Sequence, residues 1–575
     1  MTSRVTPRAA PASASFVELF TPKLITILRE GYGPARLRAD AIAGLTVAVV
    51  ALPLSMAIAI ASGATPAQGL YTAIIGGFIV SAFGGSRFQI GGPAGAFIVL
   101  VAATVHAHGM EGLFLATILS GLFLLVTGLL RLGVYIKFVP YPVTVGFTAG
   151  IAVVILSSQL REMLGLTLAV PEPGPLIEKL PVLWQALPGI DPATALLSLG
   201  TIALIAGIRK LRPQLPALLI AVASGAALVL VFDLPVATIG SKFGGIPAGL
   251  PVFSLPQMSL SRIVEVLPSA VAFTLLGSIE SLLSAVVADS MTGRRHRSNC
   301  ELVAQGLANI ASGLFGGICV TGTIARTATN VRAGAHGPVA GMLHALFLLA
   351  FILIAAPLAG FVPLASLAGV LAVVAWNMVE RHAIAGLLRL AGGDAVVLSA
   401  TFLLTVFRDL TEAIIVGVAL GSLLFIHRMS KTTAIESQPP IVVDDRADDH
   451  GSRRIYEARG ASNPEVVIYR ISGAFFFGAA ASVGLVLDRI PDTHKMLIID
   501  FQAVPFIDST AANTIGALVR KGARRGVKVV LAGTSRDMRR ELFAQGVKPP
   551  LVGYSRGVAE AMLHLGDRKR RQGAA

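Results

Sequence analysis

Between about residue 40 and residue 428 the chain is a succession of apolar stretches parted by short polar gaps. Each stretch is near the roughly 20 residues that a helix needs to cross a bilayer core, where every backbone group must be satisfied within the protein. The pattern predicts segments over 40–61, 68–83, 91–107, 112–130, 142–160, 192–208, 214–232, 266–288, 301–315, 323–333, 338–358, 364–379, 395–407 and 410–427, fourteen in all and several of them short. After Arg428 the pattern changes abruptly. A charge-rich stretch, Asp444-Asp445-Arg446-Ala447-Asp448-Asp449, precedes short apolar runs at Val466–Arg470, Met496–Asp500 and Val527–Gly533. Amphipathic repeats over Ser509–Arg525 and Arg536–Gln545, with a further helix from about Val558 to Leu565, complete an α/β pattern long enough to hold its own core.

The cations fall unevenly between the segments. Gaps that follow even-numbered segments hold Arg87, Arg131, Lys137, Arg209, Lys210, Arg212, Arg294, Arg295, Arg297, Arg332, Arg381, Arg389, Arg428 and Lys431. Gaps that follow odd-numbered ones hold only Arg161, Lys179, Lys242, Arg262 and Arg408. Because cytoplasmic loops collect Lys and Arg, this asymmetry predicts an even number of spans in a cell inner (plasma) membrane, with both termini cytoplasmic. Residues 1–38 hold Arg4, Arg8, Lys23, Arg29, Arg36 and Arg38 without an apolar stretch and cleavage site, so they read as a cytoplasmic segment and not a removable signal.

Composition narrows the class. Charged residues make up 14% and apolar residues 54% of 575, with a mean hydropathy of +0.75, which argues against a soluble enzyme. The net charge of +15 sits in clusters between apolar runs and not along one solvated face, so no nucleic-acid partner is expected. Cys300 and Cys319 cannot build a disulfide framework and read as small packing residues. No phosphate loop, HExxH or nucleotide-binding fingerprint occurs, and no cofactor or metal is expected; a gradient and not ATP is the expected driving force.

Three segments depart from ordinary spanning helices. The first carries Pro53, which is expected to kink or break it. The third opens with Gln89-Ile90-Gly91-Gly92-Pro93-Ala94-Gly95-Ala96 and the tenth with Gly316-Gly317-Ile318-Cys319-Val320-Thr321-Gly322-Thr323, both extended glycine-rich backbone leading into a short helix. They lie seven segments apart, the arrangement that marks a midplane site between discontinuous helices in inverted-repeat transporters. Two facing helix N-termini favour an anion. Arg326, inside the tenth segment at an insertion cost of roughly 2.5–3.5 kcal/mol, adds a cation there or pairs structurally. Glu280, within the eighth segment and one turn before Ser284, is a candidate for carrying a coupling proton or for pairing with Arg326. Ser55, Gln89 and Thr323 sit at the expected breaks. In the tail, Ser509 follows Asp508 at a strand-to-helix turn and is expected to cap the helix or to serve as a regulatory phosphosite.

These stretches together resemble the SulP anion-permease family, solute carrier family 26: Pro53 through Gly69-Leu70-Tyr71, Phe83-Gly84-Gly85-Ser86-Arg87 with Gln89 to Gly95, Leu276 to Thr292 and Gly316 to Gly334. Val504-Pro505-Phe506-Ile507-Asp508-Ser509-Thr510 is similar to the signature of the STAS domain that closes such transporters. The resemblance implies a polytopic α-helical membrane protein of about 14 spans in a 7+7 inverted repeat, a core domain moving like an elevator against a gate domain, commonly as a homodimer, with a C-terminal cytoplasmic α/β STAS domain. It implies an N-terminal segment over 1–38, a transport domain over 39–430, a linker over 431–462, a STAS domain over 463–567 and a basic tail over 568–575. The anion site falls by motif at Gln89, Gly92, Pro93, Ala94, Gly95 and Ala96 with Thr323, Ile324, Ala325 and Arg326, and ion coupling at Glu280 and Ser284. The expected cargo is sulfate, or else bicarbonate or a C4-dicarboxylate, coupled to a proton or to sodium. A channel-like anion conductor, and a membrane-tethered sensor or scaffold whose tail binds a cytoplasmic protein, stand as the other readings. Ala511 and Ala512 replace the glycine often found after the Asp-Ser-Ser turn, which weakens a phospho-switch at Ser509.

Overall fold

The computed structural model describes residues 16–133, 140–170, 173, 176–247, 249, 251–389, 392–408, 410–431, 434–437, 466–476 and 495–562. Arg4, Arg8, Lys137, the acidic stretch 444–449, residues 563–565 of the expected last helix and the basic tail 568–575 lie outside the described residues. The chain forms two compact units, Met1–Val418 and Ala419–Ala575.

The helices are α1 (Phe16–Phe20), α2 (Lys23–Arg29), α3 (Pro34–Ala61), and α4 (Pro66–Tyr71), which passes through a wide π-turn, Thr72–Gly76, into α5 (Gly77–Phe83). Strand β1 (Gly91–Gly92) leads into α6 (Ile98–Leu129), followed by α7 (Tyr141–Leu164), α8 (Leu176–Ala186), α9 (Pro192–Leu211), α10 (Ala217–Phe232) and α11 (Ile239–Phe243). Helices α12 (Leu260–Thr292) and α13 (Ser298–Leu314) precede strand β2 (Thr321–Gly322), and then come α14 (Ile324–Arg332), α15 (Val339–Ala359), α16 (Leu364–Met378), α17 (Arg381–Arg389), α18 (Gly393–Phe407) and α19 (Leu410–Lys431).

Every expected segment falls on helix, yet only nine helical runs among the described residues are long and apolar enough to cross a bilayer. The third and fourth segments form one run, Gly95–Leu129, interrupted at Gly109. There the backbone turns to φ +68°, a left-handed conformation that glycine adopts without strain. The ninth and tenth fall on α13, of 17 residues, and α14, of 9 residues, both with polar faces. Pro53 does not break its helix: α3 continues through it. Every residue from Ala51 to Ala59 is buried, so neighbouring helices hold the turn that lacks a backbone donor. The helices pack as two groups, α3, α5, α6, α12, α13, α14 and α15 in one and α7, α9, α10, α16 and α18 in the other, with α3 touching α10 and α16 across the seam.

Contacts between the gaps sort them into two ends, independently of their charge. The α2 segment gathers one set. The Lys23 backbone N–H donates to the Gly84 carbonyl at 3.0 Å, the Arg297 guanidinium to the Thr21 carbonyl at 2.7 Å and the Thr26 hydroxyl at 3.0 Å, and Arg87 forms a bidentate ion pair with Glu30. That pair holds the Glu30 carboxyl below its ordinary range. Ile27 is buried against Gly337, and the Gly133 N–H donates to Asn299 at 3.1 Å. The gaps after the second, fourth, eighth and tenth segments therefore share an end with the N-terminal segment. At another end Lys242 pairs with Glu162 at 2.7 Å, and the Ile239 and Gly240 N–H groups reach the Val362 and Gly360 carbonyls at 2.9 and 2.8 Å. These join the gaps after the fifth, seventh and eleventh segments.

The second unit is a five-stranded sheet, β3 (Ala434–Ser437), β4 (Val466–Ser472), β5 (Met496–Ala503), β6 (Lys528–Ala532) and β7 (Gly553–Ser555) side by side in that order. The first pair is antiparallel and the others parallel. Met496 to Phe501 are all buried, as a strand covered on both faces requires. Helix α20 (Ser509–Arg524) buries Ala511, Ala512, Ile515, Leu518 and Val519 on one face, and α21 (Arg536–Ala544) buries Met538 and Leu542. Two expectations are corrected. Residues 434–437, expected as linker, form the edge strand; four residues are too few to give a readable alternation. The cap of α20 is Asp508, whose side chain accepts from the Ala511 N–H at 2.8 Å, and Ser509 is the first residue of the helix. A carboxylate at that place also meets the positive end of the helix dipole.

Candidate functional site

Two glycine-rich lead-ins meet in the middle of the helical unit. Gly91 pairs with Gly322 and Gly92 with Thr321 in an antiparallel ladder of two residues. The Thr323 N–H and hydroxyl both donate to the Ile90 carbonyl, at 3.0 and 3.1 Å. So short a ladder leaves backbone groups that, away from water, need other partners. Side chains supply them. The Ile90 N–H donates to the Thr327 hydroxyl at 3.1 Å and the Gly322 N–H to Ser281 at 3.1 Å. The Ser281 and Thr321 hydroxyls are 2.8 Å apart, and Asn330 donates to the Phe88 carbonyl at 2.9 Å.

From this ladder two helices start in opposite halves of the chain. The first begins after Ala94 as a tight turn, Gly95–Phe97, and continues as α6; the second begins after Thr323 as α14. Neither cap residue accepts a hydrogen bond on its side chain, so no side-chain cap answers the first-turn N–H groups at the positive dipole ends. Pro93, Ala94, Gly95 and Ala96 thus form the turn into one start, and Thr323, Ile324, Ala325 and Arg326 the other.

Arg326 is 1% exposed. Its Nη2 donates to the Ser55 hydroxyl at 3.1 Å and to the Pro93 carbonyl at 3.2 Å, tying α14 to α3 and to the opposite lead-in. Its Nε and Nη1 have no hydrogen-bond partner among the described residues, and neither amide atom of the buried Gln89 has one. The Gln89 side chain lies against Gly322, and Nη1 of Arg326 lies where a side chain on Gly92 would begin, 2.5 Å from an ideal Cβ. Gly92 is therefore the space into which the guanidinium fits.

Helix α12 presents Phe273, Gly277, Glu280, Ser281 and Ser284 at helical spacing. The Phe273 ring is 6.0 Å from that of Phe97 at the first helix start, and the Thr321 hydroxyl reaches the Gly277 carbonyl at 3.3 Å. Glu280 is 9% exposed and makes no hydrogen bond or ion pair with a described residue, so the alternative of a structural pair with Arg326 is not realised. The Ser284 hydroxyl donates to Thr327 at 3.1 Å, and Thr327 in turn holds Ile90, so Ser284 supports the lead-in. Both cysteines are buried and free, and no group of three metal-ligating side chains occurs among the described residues. Sequence reasoning missed Thr72, Ser281, Asn309 and Thr327. For Asn309 the available signal was the polar spacing Glu301, Gln305, Asn309 inside an apolar segment.

The profile of the sulfate permease family matches residues 37–401, and that of the STAS domain matches 459–560. A protein of Bacillus subtilis (strain 168) named putative sulfate transporter YvdB is 40% identical over 520 residues, covering 90% of this chain and 95% of its own. The solved transmembrane domain of a cyanobacterium bicarbonate transporter, BicA, is 34% identical with a TM-score of 0.60, covering 66% of this chain and 98% of its own. The overall structure of SLC26A9 superposes with a TM-score of 0.82 at 17% identity over 96% of this chain and 93% of that one, a likeness of fold. The chain belongs to the sulfate permease family of membrane transporters and carries a STAS domain at its C-terminal end.

Proposed function

We propose that the protein is a secondary transporter of a small oxyanion, sulfate first, that binds its cargo between the α6 and α14 helix starts. The observation that carries this reading is the pair of uncapped N-termini joined by the β1–β2 ladder, with two unpartnered guanidinium nitrogens of Arg326 and the unpartnered Gln89 amide beside them. Fixed N–H groups and a guanidinium together suit a planar or tetrahedral oxyanion, and the names of the relatives, one for sulfate and one for bicarbonate, support that class. Helix starts of α6 and α14 belong to the first packing group, which acts as the moving core; the group around α7, α9, α10, α16 and α18 acts as the gate. An elevator displacement of one against the other carries the site across, in a 7+7 repeat and a homodimer.

Glu280 is the coupling group in this reading. Its carboxyl takes up a proton on the side where the anion enters and releases it on the other, so that anion and proton move together; sodium in place of the proton is the second form of the reading. Arg326 is the principal cation for cargo, Gln89 a polar selector, and Ser284 holds the lead-in through Thr327. The transport domain spans 39–430 and the STAS domain 463–567 together with its edge strand at 434–437, with both termini in the cytoplasm of an inner-membrane protein. The STAS domain serves assembly, or binding of a cytoplasmic partner, with Ser509 as a regulatory site.

Uptake of labelled sulfate and bicarbonate into proteoliposomes, under imposed proton or sodium gradients, tests the whole reading. Arg326→Ala is expected to abolish saturable uptake, and Glu280→Gln to leave exchange but remove the response to pH. Uptake that is equally pH-dependent in wild type and Glu280→Gln removes the coupling role. Full saturable uptake by Arg326→Ala overturns the site, and large weakly saturating currents favour a channel.

A further inference from the structure

We infer that α13 is the template that sets the position of both helix starts, with Asn309 and Glu301 as its positioning residues. The inference rests on the anion site proposed above. Helix α13 carries Glu301, Gln305, Asn309 and Ser312 at spacings that place them along one face, and all four are buried. The contacts form a continuous line. Glu301 accepts from the Ser86 N–H at 3.0 Å and from the Gln305 amide at 3.0 Å. Asn309 donates to the Gln305 carbonyl at 2.8 Å.

Asn309 then reaches across to the second lead-in with both ends of its amide. Its Nδ2 donates to the Val320 carbonyl at 2.8 Å, and its Oδ1 accepts from the Val320 N–H at 2.9 Å. A side-chain amide here takes the place of a neighbouring strand for the residue immediately before β2. Ile318 is held in the same two-sided way: its N–H donates to Thr72 at 2.7 Å and its carbonyl accepts from Ser312 at 2.7 Å. Toward the other end of α13, Glu301 and the Arg297 N–H, which donates to the Gly85 carbonyl at 2.9 Å, hold Gly85 and Ser86 ahead of β1. One helix thus grips the second lead-in at Ile318 and Val320 and the turn at Gly85 and Ser86 that runs up to the first, at points eight residues or about 12 Å apart along its axis.

The consequence concerns cargo geometry. Two helix starts can bind one oxyanion only if their N–H groups converge on it, and the two-residue β1–β2 ladder fixes their pairing but not their depth. The α13 ladder fixes the depth. None of its four side chains needs to touch the anion; they act through the backbone of 85–86 and 318–320.

Hydrogen–deuterium exchange of the full-length protein in detergent, together with sulfate affinity read from thermal shifts, tests the assignment in wild type, Asn309→Leu, Asn309→Asp and Arg326→Ala. Asn309→Leu is expected to speed exchange in a peptide spanning 318–326 and to weaken sulfate binding about tenfold or more while elution on size exclusion stays normal; tenfold corresponds to about 1.4 kcal/mol. Asn309→Asp keeps the acceptor for the Val320 N–H and is expected to fall between Leu and wild type in both readouts. Should Asn309→Leu not fold, Asn309→Asp carries the test alone. Wild-type exchange and wild-type affinity in a folded Asn309 variant overturn the template. Loss of affinity in Arg326→Ala but not in the Asn309 variants overturns it while leaving the anion site standing. Absence of any sulfate response in wild type sinks the anion site, and the exchange arm still decides whether α13 positions the lead-ins.

Discussion

At the residue scale, the site depends on what is missing from side chains as much as on what they carry. Gly92 leaves the volume that Arg326 fills, since an ideal Cβ would stand 2.5 Å from its Nη1. Gly92 also has φ +156°, a conformation that L residues rarely adopt, so a methyl there strains the β1 backbone as well as displacing the guanidinium. Gly92→Ala is therefore expected to raise the KM for anion uptake about tenfold, through loss of one oriented charge-assisted contact of roughly 1.5–3 kcal/mol, and to lower the melting temperature as well. Uptake kinetics beside a thermal melt of the same preparation check it, and an unchanged KM would show that the guanidinium has room elsewhere. Arg326 and Gln89 were legible in the sequence because polar residues within apolar segments stand out. Asn309 carried the same signal in its spacing with Glu301 and Gln305, but Ser281 and Thr327 were not legible, because their partners belong to segments folded against them, 237 residues away in the case of Thr327 and Ile90.

At the scale of elements, every apolar stretch fell on helix, but the short helices α1, α2, α8, α11 and α17, which lie in the polar gaps or ahead of the first segment, were not located. Pro53 was expected to kink or break α3; the helix is not broken there, because lateral packing outweighs one lost backbone bond. The break in the run Gly95–Leu129 falls at Gly109, inside the gap expected between the third and fourth segments, although the helix resumes directly after it. In the soluble unit the apolar runs gave the inner strands and both helices, and missed the edge strands β3 and β7, which are too short for a period to show. The cap of α20 separates two neighbouring residues that the sequence alone left confounded. Asp508→Ala is expected to lower the stability of the STAS unit by about 1 kcal/mol, the ordinary worth of an N-cap. Ser509→Ala, at the first helical position, is expected to change it by less than about 0.5 kcal/mol. Urea unfolding followed through the STAS unit distinguishes the two, and equal losses would return the capping role to Ser509.

At the scale of the whole molecule, the polar gaps sort into two ends by contact, and the same division appears in the counts of Lys and Arg. Two observations of different kind thus agree on which loops lie together, while the charge bias alone supplies the assignment of the basic end to the cytoplasm. Both native cysteines are buried, which makes the assignment simple to check. Lys242→Cys is expected to react with a membrane-impermeant maleimide in intact cells, and Lys210→Cys only after permeabilisation; the reverse pattern would invert the topology. The β1–β2 ladder has a bearing on how the protein is made. Ile90 finds its partner Thr323 only 233 residues later in the chain. A nascent chain halted anywhere before that point holds Gly91 and Gly92 with unanswered backbone groups, which hydrocarbon does not tolerate. The ladder can close only once the second half has emerged, so the proposed anion site forms late in synthesis.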